Sequence, residues 1–253
     1  MKSAAAYVPA RDPLSKVRRR LTQWRPARPA RLRFDEPMLS ICFDDFPVSA
    51  ATEGARILEA HGARGTFYAA GGLTETSGPC GRNFSAADLQ RLRDAGHEIG
   101  CHTFSHDDCA QRAPFATLQD IARNRDALAE LGAEPPQTLA YPYGETTGAI
   151  KAALPPRFIC ARGILPGLNH GRADLAQLRA YPLFGKHALV RAHAALKRAA
   201  KRKAWMIAFT HDIAAEPSPW GTASADLNAL LAAAHALGVT VLPVNAAVAR
   251  RQA

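Results

Sequence analysis

The stretch Ile41-Cys42-Phe43-Asp44-Asp45-Phe46-Pro47, ICFDDFP, ends an apolar run on two adjacent carboxylates. Two neighbouring negative charges repel, and burying either is costly unless it is paired or bound to a cation. Residues 38–45 read as a strand, so the pair sits at a strand end. A regular strand points neighbours to opposite faces. For both aspartates to reach one site, the backbone must bend near Phe46-Pro47.

Outward from that strand, apolar runs alternate with helical patterns. A helix is expected over 52–61, a second strand over 65–73, and a helix over 85–96 that opens on a Ser N-cap and closes at Gly. A third strand is expected over 98–104, a long helix over 114–132, a short strand over 138–143, and a helix over 147–153 that stops before Pro155-Pro156. Strands over 158–162, 178–184, 205–211 and 240–244, with helices over 186–203 and 224–237, complete the alternation. Short connections of this kind predict an α/β fold with a parallel sheet. Seven or eight units point to a relative of the eightfold barrel, whose sites lie at strand C-termini. An open doubly wound sheet is the alternative. No GxGxxG or GxxxxGK[ST] phosphate loop occurs.

The 253 residues are 47% hydrophobic and 21% charged, as in a globular protein, and no apolar run nears the ~18 residues of a membrane span. Charge is uneven. Residues 1–33 hold ten Lys+Arg and one Asp, +9; the other 220 hold 22 basic and 21 acidic side chains, +1. We therefore expect a basic, partly disordered or peripheral arm over 1–35 and a catalytic domain over 36–253. Such an arm suits contact with anionic lipid, nucleic acid or an acidic polymer, and peripheral contact with anionic membrane through residues 1–33 is the partner expected first. The start of the chain lacks the apolar core of a secretory signal, which predicts a cytoplasmic protein. Five cysteines without close CxxC spacing are read as reduced thiols. Lys197, Arg198, Lys201, Arg202 and Lys203 read as a solvated helix end.

Three strand ends carry unusual chemistry: Asp44-Asp45; the run from His102 to Asp108, with His102 and His106 four apart; and Thr210-His211-Asp212. In a barrel these converge on one rim. Two imidazoles and a carboxylate suit Zn²⁺ or a similar divalent ion with open positions. The other carboxylate is then free to take a proton from water activated by the ion, and His211 is placed to protonate a leaving group. The suggested reaction class is metal-assisted hydrolysis of an amide or ester.

Taken in order, these segments resemble the polysaccharide deacetylases, the NodB-like carbohydrate esterases of family 4. Cys42-Phe43-Asp44-Asp45 is similar to the family's TFDD motif, and His102-Thr103-Phe104-Ser105-His106 matches its H[ST]xxH. Residues 95–100 (AGHEIG), 65–68 (GTFY), 140–144 (AYPYG) and 207–212 (IAFTHD) resemble further motifs. The resemblance spans about 36–245. It implies a distorted (β/α)7–8 barrel of the NodB-homology type and removal of N-acetyl groups from amino sugars. It implies Asp44 as base, His211 as acid, and Asp45, His102 and His106 as ligands of a divalent metal, Zn²⁺ first. It implies the Tyr143 N–H, in the bend with Pro142, as an oxyanion donor, and Phe209 beside the acetyl pocket. Trp220 is a candidate for stacking on a sugar ring. Two departures stand out. Ala140 occupies the place where many members carry a base-orienting Arg, for which Arg162 is the candidate replacement, and the fourth motif's Asp-Trp pair is not recognisable.

The leading expectation is an N-deacetylase acting on an acetylated amino-sugar glycan or its lipid-linked precursor, at the inner membrane surface, in exopolysaccharide or holdfast-type synthesis. The alternatives are a deformylase or amidase on another N-acylated substrate, and a non-catalytic glycan-binding protein. Nucleic acid is not an expected partner, because the chain outside the arm is nearly neutral and carries no recognisable module. The sequence does not set the oligomeric state.

Overall fold

The computed structural model describes residues 12–252; residues 1–11, a third of the expected arm, and Ala253 lie outside the described residues. The first helix, α1 (Pro13–Trp24), begins where Asp12 caps Ser15 N and Pro13 takes the first helical position, where its missing N–H costs nothing. Strand β1 (Pro29–Leu32) follows.

The main sheet starts with β2 (Met38–Asp44), buried along its whole length. Then come α2 (Ala55–Ala60), β3 (Thr66–Ala69), α3 (Ala86–Asp94), β4 (Glu98–Cys101), α4 (Pro114–Glu130), β5 (Thr138–Ala140), α5 (Gly148–Ala153) and β6 (Cys160–Arg162). Beyond it lie β7 (Gly171–Asp174), β8 (Tyr181–Pro182), α6 (Ala188–Arg202), β9 (Trp205–Thr210), α7 (Ser224–Ala236), β10 (Thr240–Val241) and α8 (Val244–Ala249). The strand order is β8-β9-β2-β3-β4-β5-β6, with β10 also beside β2, and every pairing is parallel. β1 and β7 form a separate antiparallel pair.

Alternation along the strands builds two apolar layers. Leu39, Ile41 and Phe43 of β2, with Met206 and Ala208 of β9, pack outward under the helices. Met38 and Cys42, with Trp205, Ile207 and Phe209, point into the barrel. A strand buried on both faces needs its polar groups satisfied: inward-facing Ser40 accepts from Trp205 Nε1 at 2.9 Å.

The ring closes irregularly, so the barrel is distorted as expected. Residues 175–178 run along β6, with Leu178 N donating to Ala161 O and Gly163 N to Leu178 O; β8 then joins β9. The strand expected over 178–184 shrinks to Tyr181–Pro182, because this segment serves two edges in turn. The strand expected over 240–244 stops at Val241, and α8 begins at Val244.

α8 closes the bottom of the barrel. Glu98, 7% exposed, accepts from Thr66 Oγ1 (2.8 Å), Thr138 Oγ1 (2.6 Å) and Asn245 N (3.0 Å). Gly100, next on the same face, leaves room for the Tyr68 ring, which a Cβ there would meet at 2.5 Å. Among the described residues no helix is long and apolar enough to cross a membrane.

Candidate active site

The site lies at the opposite end, where β2, β4, β5, β6 and β9 finish. Asp44 is the last residue of β2 and faces inward with Met38, Ser40 and Cys42. Asp45 turns back toward the same rim because its backbone enters the left-handed region, φ 57°. The expected bend therefore falls on Asp45 itself rather than at Phe46-Pro47. Thr103, His106 and Tyr143 also have positive φ. Four of the seven described non-glycine residues of this kind thus surround one spot, and such strain concentrates where a site must be shaped.

Asp45, His102 and His106 converge, their donor atoms all within 4.8 Å of one another. Asp45 Oδ1 lies 3.6 Å from His102 Nε2 and 3.1 Å from His106 Nε2. Ligand atoms around a tetrahedral Zn²⁺ stand roughly 3.3 Å apart, so the spacing fits. His102 Nδ1 donates to Ala140 O at 2.7 Å, which fixes the tautomer and leaves Nε2 as an acceptor. Burial pushes the His102 imidazolium down to about 4, so the ring is neutral and ready to ligate. Asp45 Oδ1 is buried and has no hydrogen-bond partner among the described residues. A carboxylate oxygen and two imidazole nitrogens this close could hold a divalent ion. Asp120 holds the loop between the histidines, accepting from Phe104 N and Ser105 N, each at 3.0 Å, and from Ser105 Oγ at 2.7 Å.

Beside this triad, Arg162 Nη2 donates to Asp44 Oδ1. Both residues are buried, at 1% and 4% exposed. Burial alone would raise the Asp44 carboxyl, but the charges of Arg162, then His102 and His211, outweigh it and hold the group below its ordinary value. The guanidinium lies over Tyr68 (4.8 Å) and Phe209 (5.0 Å). Arg162 thus stands against Asp44 even though position 140, at the end of β5, is an alanine whose carbonyl holds His102.

His211 follows β9, half-buried, with Nδ1 donating to Trp220 O at 3.1 Å and Nε2 left for other partners. Its ring packs against Phe184 at 5.6 Å. Tyr143 follows β5 in a turn with buried Pro142, its ring 4.8 Å from His106. A cleft of about 1270 Å³ joins Asp44, Asp45, His102, His106, Tyr143 and His211, with Phe209 and Trp220 also on its wall. Pro142 and Arg162 lie behind that surface.

Residues 31–154 match the sequence profile of the family described as Polysaccharide deacetylase. The matched segment, just under half of the chain, resembles the polysaccharide deacetylases. The fold agrees beyond it. The T48 deacetylase solved with substrate superposes with a TM-score of 0.60 at 20% identity, covering 86% of this chain and 93% of its own. A family 4 acetyl xylan esterase from Clostridium thermocellum, solved with cobalt, gives 0.58 at 20%, covering 83% and 89%. A family 4 carbohydrate esterase from Streptomyces lividans, solved with acetate, gives 0.55 at 16%, covering 83% and 93%. No curated protein matches by sequence.

Some of the cleft was not legible in the sequence. Arg31 and Arg172 are direct cross-strand partners in the β1–β7 pair and both line the cleft. Like charges placed opposite destabilise a sheet, and neither arginine side chain has an ion pair or hydrogen bond among the described residues. Phe184 and Asp120 are ordinary core-like letters without a motif; only the fold brings them to the site.

Proposed function

We propose that this chain is a metal-dependent hydrolase that removes N-acetyl groups from an amino-sugar glycan. The observation that carries the reading is the stranded Asp45 oxygen between two imidazoles, one carboxylate away from the buried Asp44–Arg162 pair. Asp45, His102 and His106 would hold a divalent ion, Zn²⁺ first, which would supply Lewis-acid polarisation of the acetamide carbonyl and acidify water. Asp44, kept ionised by Arg162, takes the proton of the attacking water. Arg162 is a positioning residue that orients the base. The Tyr143 N–H, beside Pro142, faces the developing oxyanion. His211 carries a proton on Nε2 to the departing amine, its other nitrogen anchored on Trp220 O. Phe209 borders the acetyl methyl, and Trp220 stacks on a sugar ring.

The relatives solved with substrate, acetate and cobalt support this reading, as does the family match. The finer substrate is a lipid-linked or growing exopolysaccharide precursor, of holdfast type, handled at the inner membrane surface. The unpaired Arg31 and Arg172 beside the cleft support a substrate carrying negative charge. The deciding experiment is acetate release from defined N-acetylglucosamine oligomers with added divalent ion and with chelator. Ion-dependent acetate release supports the reading; formate release from N-formyl sugars with no acetate from any N-acetyl sugar overturns it.

A further inference from the structure

Helix α1 is built inside out. Leu14, Val17, Leu21 and Trp24 recur at spacings of three, four and three, which stacks them on one helix face. That face is left to solvent: the four are 71%, 52%, 46% and 74% exposed. The polar side faces the body instead. Arg19 pairs with Glu145, and Lys151 Nζ donates to Thr22 O (2.6 Å) and Arg25 O (3.1 Å). A surface helix normally turns its apolar stripe to the core, and an exposed stripe marks a contact surface.

The charge around the stripe says what it meets. Arg18, Arg20 and Arg25 flank it and are exposed. No acidic residue lies between Asp12 and Asp35. We propose that α1 docks on the surface of an anionic lipid bilayer, with Leu14, Val17, Leu21 and Trp24 among the headgroups and the arginines on the phosphates. A second copy of this chain is a poor occupant, because two basic faces repel. A nucleic acid uses the arginines but offers nothing to three exposed aliphatic side chains.

Docking has a consequence for the cleft. Arg19, Thr22, Gln23 and Trp24 form part of its wall, and Lys151 ties the helix to the body. A docked α1 therefore holds the mouth of the cleft at the lipid surface, where a glycan carried on lipid is presented. Membrane docking itself does not depend on the deacetylase reading, and its test reads binding rather than turnover.

The test is co-sedimentation of the full chain with vesicles of phosphatidylcholine alone and with phosphatidylglycerol added, at low and high salt. The wild type is expected to bind the anionic vesicles at least tenfold more tightly than the neutral ones, more weakly as salt rises. The triple variant Leu14→Ser, Val17→Ser, Leu21→Ser and the double variant Arg18→Glu, Arg20→Glu should each lose at least tenfold. All five positions are exposed, so the fold, checked by circular dichroism, should persist. Equal binding to neutral and anionic vesicles, unchanged binding by the triple variant, or a wild-type dimer that the triple variant converts to monomer would each overturn the proposal.

Discussion

Two carboxylates are buried inside the barrel, one at each end, and they are held in opposite ways. Glu98 at the bottom accepts from two hydroxyls and a backbone N–H, and α8 covers it. Asp44 at the top faces a guanidinium and an open cleft. Its surroundings are incomplete: Asp45 Oδ1, Tyr68 Oη, Thr103 Oγ1 and Arg162 Nε are all buried without partners among the described residues. Buried polar groups are normally satisfied. The satisfied end is architecture; the unsatisfied end is where the proposed cation and substrate would complete the polar partners. The backbone tells the same story, since positive φ gathers at the top, at Asp45, Thr103, His106 and Tyr143.

That contrast can be broken most forcefully at the top. Asp44→Asn keeps the size of the side chain and removes the base, so acetate release should fall roughly 100- to 10,000-fold, and because the buried Arg162 guanidinium loses its countercharge, thermal stability should fall as well. A variant with normal turnover would remove Asp44 from the chemistry. Arg162→Ala should lower both stability and turnover, because it leaves Asp44 buried and unpaired, at a cost of about 3–5 kcal/mol. The informative readout is the split. Arg162→Lys should recover most of the stability but little of kcat if the planar guanidinium orients the base, and full activity in Arg162→Ala would sink the positioning role.

At the bottom the effects should be confined to stability. Glu98→Ala strands two hydroxyls and an N–H, and chemical denaturation should show a loss of roughly 2–4 kcal/mol, with turnover of the remaining folded protein intact. The smallest effect is on pH dependence. Burial raises the Glu98 carboxyl above its ordinary value despite its donors. The folded state therefore binds this proton more tightly than the unfolded chain does. The contribution of Glu98 to stability is largest below the unfolded value of about 4.3 and declines as pH rises through the folded value. Glu98→Gln should flatten that decline in melting-temperature profiles; an unchanged profile would mean that Glu98 titrates as it does unfolded.

The sequence made the central strands and the site letters legible because both are local signals. Ser85 and Gly96 bracket α3 by capping chemistry, and Ser85 indeed closes a reciprocal capping box with Asp88. Asp44, Asp45, His102 and His106 stand in contiguous motifs. What escaped depended on distant partners. The β1–β7 pair joins residues some 140 positions apart, and β8 is short because it shares a closing segment. α1 was obscured by its own composition: the arginines read as an arm, although Asp12-Pro13 and the spacing of Leu14, Val17, Leu21 and Trp24 spell a capped amphipathic helix. Arg162, by contrast, is named from the sequence as the candidate replacement for the missing arginine, but only closure of the barrel brings its guanidinium to Asp44.

The most direct test of the contrast between the two ends is a calorimetric titration of Zn²⁺ into chelator-stripped protein, compared with Asp45→Asn, a residue that tolerates the left-handed backbone. One equivalent per chain should bind to the wild type, at least tenfold more weakly to the variant. No binding to the wild type, or equal binding to both, would contradict the claim that the open end of the barrel is built around an ion.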